Sequence, residues 1–355
     1  MGERSCYDKI RDAFTTDNLL LKILLAEFLG TFVLITLGNS AVAQNVLSGG
    51  SKGEFISVNI AWGLAVSMGV WVSGSVSGGH INPAVTLTLC IIGRCPWIQM
   101  PIYWIGQYLG AMAGSAVVFG IYYQAIEQFD NGTRYIEGEN GTAGIWSTYP
   151  ADYLDAAGGL GDQITSTAML MMLILAITDE NNAKPPKGMV PFCVGLVVTV
   201  IGLTMGHNCG YAINPARDLS PRAFTAMAGW GVEVFSYRDY NWFWVPIVGP
   251  HVGAVIGAWI YLIFVGNHIR KEDQDDAEST IGIIDEKRLP PPDYDVNVTE
   301  GNGPVPRSVT PVRQYPKHRS CYGPIVYVIY SDRALLEYCA ANPGYGFKSG
   351  SCPLR

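Results

Sequence analysis

The sequence predicts an all-α membrane protein: six spanning helices and two re-entrant half-helices, arranged as two inverted copies of a three-helix unit. Three observations carry this reading. The 355 residues are 49% hydrophobic and only 15% charged, too little charge for a soluble chain of this size. Six windows reach the roughly 20 apolar residues a helix needs to cross hydrocarbon. Between them, Asn82-Pro83-Ala84 and Asn214-Pro215-Ala216 repeat one short motif 132 positions apart.

The elements follow in chain order. A polar segment, 1–22, carries Arg4, Lys9, Arg11 and Lys22 and precedes the first window near 23–46. No small-residue cleavage site follows a short apolar run, so this window reads as a retained span. The second window lies near 56–76 and the third near 98–123, with the first motif between them. A linker over 124–159 leads to windows near 162–178 and 188–206, then the second motif, then a window near 243–266. These limits give a channel domain over 23–267, with repeat one near 23–123 and repeat two near 160–267. The tail 268–355 is charged and then Pro- and Gly-interrupted, without a predicted fold; its apolar stretch Ile325–Tyr330 is too short to span.

The two copies match in detail. Glu27 stands 55 residues before Asn82, and Gln163 stands 51 before Asn214. A unit of three spans is odd, so the second copy enters the bilayer from the opposite face. The stretches from Val85 to Ile92 and from Ala216 to Met227 are too short to span, but Pro after Asn suits a first helical turn. They read as half-helices meeting near the midplane. Gly78-Gly79-His80 and Asn208-Cys209-Gly210 before them are non-helical, which is tolerated at membrane depth only against protein or water. Gly106/Gly110 and Gly249/Gly253 have the spacing that lets helix backbones meet.

Charge sets topology and excludes partners. Lys184 and Lys187, and His268, Arg270 and Lys271, join the N-terminal cations on one side, so both termini are expected in the cytoplasm. The 126–160 loop is then outside, with Glu127, Asp130, Glu137, Glu139, Asp152 and Asp155 against Arg134 alone. There Asn131-Gly132-Thr133 and Asn140-Gly141-Thr142 could accept glycans, whereas Asn297-Val298-Thr299 stays bare. A net charge of −7 argues against nucleic acid. Eight cysteines at 6, 90, 95, 193, 209, 321, 339 and 352 form no CxxC, and the histidines at 80, 207, 251, 268 and 318 have no ligand spacing. No metal, cofactor or catalytic group is therefore expected, and Cys90, Cys95 and Cys193 read as small apolar fillers.

What remains is a pore. Two half-helix N-termini meeting at Asn82 and Asn214 would place positive dipole ends against cations and protons. Each Asn could tie its carbonyl to backbone and offer its amide to a passing oxygen. Glu27, inside the first span, needs donors and is expected to take them from the re-entrant loop, with His80 as structural support or pore-facing group.

With the doubled Asn-Pro-Ala and Ala26-Glu27-Phe28-Leu29-Gly30-Thr31, residues 20–268 resemble the major intrinsic protein (aquaporin) family; Asp218 directly after Arg217 points within it to the aquaglyceroporins. The resemblance implies a right-handed six-helix bundle, a homotetramer with one pore per subunit in the plasma membrane, and passage of glycerol, water, urea and similar small neutral solutes. It also implies a constriction at Trp62, Gly202, Tyr211 and Arg217. There Gly202, where water-selective relatives carry a histidine, leaves room for a carbon-bearing solute, Trp62 and Tyr211 form an apolar corner, and Arg217 donates to hydroxyls. Asp218 is expected to hold loop and helix starts. Gln163 departs from the family's usual Glu, so neutral hydrogen bonds or the adjacent Asp162 must hold the second loop. The alternatives are a mainly water-selective channel and a closed, junctional structural protein. The tail lies beyond the resemblance, and its partner is unknown.

Overall fold

The computed structural model describes residues 5–269. Arg4, Arg270, Lys271, Asn297-Val298-Thr299, Ile325–Tyr330, His318 and Cys321, Cys339 and Cys352 lie outside the described residues. Within them are the helices α1 (Cys6–Phe14), α2 (Leu19–Leu47), α3 (Phe55–Ser77), α4 (Pro83–Ile91) and α5 (Met100–Asp130). Then come α6 (Ala156–Thr178), α7 (Val190–Met205), α8 (Pro215–Thr225), α9 (Glu233–Ser236) and α10 (Val245–Phe264). Among the described residues there is no sheet, only an isolated bridge between Tyr135 and Gly141.

Among the described residues six helices are long and apolar enough to cross a bilayer: α2, α3, α5 with its leading turn, α6, α7 with its leading turn and α10 with its trailing turn. Leucines such as Leu25, Leu29, Leu64 and Leu109 are exposed on them, which only a lipid solvent makes favourable. The chain is a multi-pass membrane protein. The structure differs from the predicted windows at three places, one of them α6, which begins at Ala156 rather than near 162. The first span begins at Leu19, where Asn18 caps it by accepting from the amides of Leu20 and Leu21. The third continues to Asp130, so the first part of the predicted linker is helical.

Glycine lets these helices touch through backbone. A Cβ on Gly106, Gly110 or Gly114 of α5 would stand 2.7, 2.2 or 3.0 Å from the carbonyl oxygens of Leu24, Phe28 and Phe32 on α2. In the second copy Gly253 and Gly257 of α10 lie as close to Ile164 and Ala168 of α6, with 2.2 and 2.0 Å to their carbonyl oxygens. The same contact, first helix against third, is thus built twice. A Cβ on Gly63 of α3 would stand 2.6 Å from the Gly195 carbonyl oxygen of α7, and one on Gly195 2.2 Å from that of Gly63, so this contact joins the two copies.

The long loop after α5 is packed rather than merely acidic. Arg134 pairs with Glu127 and, at 2.8 Å, with Asp130, so two of the loop's acids are neutralised locally. Its guanidinium also lies over the rings of Phe119, Tyr123 and Trp230. Ala143, Ile145 and Trp146 beyond it are wholly buried with Trp230 and Val234.

Candidate solute pore

Half-helices α4 and α8 begin at the two motifs. Asn82 and Asn214 are N-caps in extended conformation, accepting from the amides of Ala84 and of Ala216 and Arg217, and a proline follows each at the first helical position. The residue before each Asn is a β-branched one with positive φ, Ile81 at 42° and Ile213 at 43°. Such a conformation is strained and persists only where its surroundings hold it. Here the two loops hold each other. The Asn82 amide donates to the Ile213 carbonyl at 2.9 Å, and the Asn214 amide donates to the Ile81 carbonyl at 2.8 Å. Each amide therefore commits one N–H to the opposite loop and keeps one, where the sequence reading had offered it to solute alone.

Acceptors behind the loops complete the cradle. Glu27, wholly buried on α2, accepts from the backbone amides of His80 and Ile81 at 3.0 and 2.7 Å and from Ser77 and Gln107. These donors offset its burial. His80 stacks on Tyr103, its ring nitrogen lies 3.2 Å from the Thr86 hydroxyl, and it also lines the lumen. In the second copy Gln163 accepts from the Ile213 amide at 3.0 Å and donates to Cys209. Asp162 beside it receives Asn208 at 2.9 Å. Both proposed supports for the missing Glu are thus present.

Asp218 is wholly buried and does not reach the lumen. It accepts from the backbone and hydroxyl of Thr148 at 2.7 and 2.6 Å and pairs with Arg222 at 2.8 Å, tying α8 to the long loop. Arg217, one residue earlier, does line the lumen. Its guanidinium donates to the Trp146 carbonyl at 2.9 Å and lies 4.4 Å from the Trp62 ring centroid.

Trp62, Tyr211 and Arg217 come together around a cavity of about 590 Å3 that also contains Asn82 and Asn214. Its wall has two characters. Val66 and Val70 of α3, Leu170 and Ile174 of α6, and Val190, Val194 and Val198 of α7 recur at four-residue steps and supply apolar lining. The re-entrant segments from Gly78 to Asn82 and from Tyr211 to Asn214 add backbone and amide groups to it. Arg94, Thr178 and Glu180 line it as well.

Gly202 is not among the residues that line this cavity, and lies behind one that does: a Cβ there would stand 2.6 Å from Cζ of Tyr211 and 2.4 Å from Oδ1 of Asn59. The room left by the glycine is filled by the tyrosine ring. Trp62 is seated in the same manner over Gly38, where a Cβ would be 2.3 Å from its ring. Asn59, Gly38, Gln107, Trp146, Thr148 and Arg222 were not picked out in the sequence. Asn59 and Gln107 carried a signal, polar side chains within spanning windows that must face protein. Trp146 acts through its carbonyl and carried none.

Comparison with known proteins agrees with this geometry. The family model described as major intrinsic protein matches residues 15–261, about seven-tenths of the sequence. The chain belongs to the major intrinsic protein family. This major intrinsic protein is 51% identical over 257 residues to Aquaporin-10 of Milnesium tardigradum, covering 69% of this chain and 63% of that one. It is 50% identical over 254 residues to Aquaporin-9 of Homo sapiens, covering 72% and 86% respectively. The solved aquaglyceroporin of Plasmodium falciparum superposes with a TM-score of 0.64 at 33% identity, over 70% of this chain and 98% of that one. The relatives support placement with the aquaglyceroporins. Membership makes the protein a passive channel and not an enzyme.

Proposed function

We propose that the chain conducts glycerol, water, urea and similar small neutral solutes down their gradients while excluding ions and protons. The observation that carries this is the mixed lining of the lumen, apolar helix residues together with the polar groups of the re-entrant loops. A linear polyol has one hydrocarbon edge and one hydroxylated edge, and such a lining matches both. At the constriction Trp62 and Tyr211 receive the carbon edge and the Arg217 guanidinium donates to hydroxyl oxygens. Tyr211, seated over Gly202, sets the width there. The N-termini of α4 and α8, facing each other through Asn82 and Asn214, present positive dipole ends that oppose cations. The free N–H of each amide is left to orient a passing oxygen.

We also propose a homotetramer with one pore per subunit in the plasma membrane, as the family resemblance implies, and cytoplasmic termini, as the distribution of Lys and Arg implies. Asn131 and Asn140 are exposed on the loop that this topology places outside, and they are the proposed glycan acceptors.

Uptake of labelled glycerol and urea by proteoliposomes tests the solute class, with planar-bilayer conductance beside it. Both solutes should enter faster than into empty vesicles, with no ionic current. Current through the pore, or water passage with glycerol excluded, would replace this reading.

A further inference from the structure

We propose that Asn59 is a selectivity-determining positioning residue, whose side-chain carbonyl holds the Tyr211 ring back from the lumen. The proposal rests on the channel reading above and adds a residue to it that touches no solute.

Asn59 lies on α3, wholly buried, one turn before Trp62. The Tyr211 hydroxyl donates to its Oδ1. The backbone at Tyr211 has φ of 37°, a conformation an L side chain rarely adopts, and the residue lies in a loop rather than a helix. Its ring is therefore held from outside its own segment, by Gly202 behind it and by Asn59 at its tip. The other half of the amide sharpens the point. Nδ2 of Asn59 is buried with no partner, a cost that an apolar residue on α3 would avoid. The group the site uses is the acceptor.

Without that acceptor a buried tyrosine hydroxyl has to find another, and the lumen that Tyr211 lines is where water is available. The ring then turns towards Arg217 and Trp62 and narrows the passage. Glycerol, the wider solute, is obstructed more than water.

Stopped-flow permeabilities of proteoliposomes holding wild type, Asn59→Leu, Tyr211→Phe and the double variant test this. Asn59→Leu is expected to lower the glycerol-to-water permeability ratio on the order of tenfold, the scale of one unmade hydrogen bond. Tyr211→Phe alters the constriction itself and serves as the reference for the double variant. The double variant should match the ratio of Tyr211→Phe, because no hydroxyl is left to seek a partner. A packing defect predicts otherwise: parallel loss of both solutes, with the double variant falling below Tyr211→Phe. That result, or an unchanged ratio in Asn59→Leu, overturns the proposal. Where Asn59→Leu does not reconstitute, Asn59→Asp, which keeps the acceptor, should hold the wild-type ratio, and its loss would overturn the proposal equally. If wild type passes water but no glycerol, the channel reading fails on solute class. Asn59 is then read on water alone, which Asn59→Leu should slow in the wild-type background but not in Tyr211→Phe; unchanged water flow in Asn59→Leu overturns it.

Discussion

The ring of Tyr211 occupies the space that a side chain at Gly202 would need, with only 2.6 Å between an added Cβ and its Cζ. No real Cβ contact is that short, so even Gly202→Ala must displace the ring. Gly202→His must displace it further and fill the gap with a polar ring. In Gly202→His, glycerol permeability is expected to fall on the order of tenfold or more while water permeability falls less, equivalent to about 1.4 kcal/mol at the barrier. Gly202→Ala should show the same sign at smaller size. Stopped-flow light scattering under glycerol and sucrose gradients measures both.

Asn214→Ala removes a helix cap and the donor to the Ile81 carbonyl in one step. Loss of such a cap alone costs about 1 kcal/mol. The strained Ile81 turn then loses its brace, so thermal unfolding in detergent should shift down. Asn82→Asp is the complementary variant. It keeps the acceptor for the Ala84 amide but replaces the donor with negative charge where two helix N-termini meet. A cation conductance absent in wild type is expected in planar bilayers.

Much of this was legible in the sequence. Spans were read from window length, half-helices from a motif repeated in unsuitable lengths, and the Glu27 cradle from an acid in an apolar run. At the Gln163 exchange the neutral side chain accepts from the Ile213 amide while the adjacent Asp162 receives Asn208. How Gly202 acts was not legible, for a physical reason. A missing side chain signals space, and sequence does not tell whether solute or a neighbouring ring takes it. The Arg134 cluster was hidden likewise, since counting acids over 126–160 does not reveal that Glu127 and Asp130 share one turn-linked arginine.

Asp218 and Arg222 form a buried pair joined further to Thr148 and the Val234 carbonyl. Asp218→Ala leaves Arg222 charged and buried without its carboxylate, a loss of about 3–5 kcal/mol. Poor yield and a lowered unfolding temperature are expected. Removing both, in Asp218→Ala/Arg222→Met, should cost less than the sum of the single changes.

Helix contact through glycine makes a graded prediction. Gly257→Leu must push α10 off the Ala168 carbonyl of α6, costing more than the roughly 1–3 kcal/mol of ordinary overpacking. Gly120 on α5 meets nothing within 4 Å, so Gly120→Ala should be neutral or stabilising by about 0.5–1 kcal/mol. Unfolding temperatures of the two variants in one detergent decide it.

The central claim is that the lumen formed by the apolar helix faces and the two re-entrant loops is a path for a linear polyol. Stopped-flow shrinkage and reswelling of proteoliposomes under a glycerol gradient, beside empty vesicles and an impermeant sucrose gradient, reads that path directly. Rapid shrinkage in sucrose and rapid reswelling in glycerol, both absent from empty vesicles, is the predicted result. Rapid shrinkage without reswelling would leave a water channel whose constriction rejects glycerol, and neither response would contradict an open pore altogether.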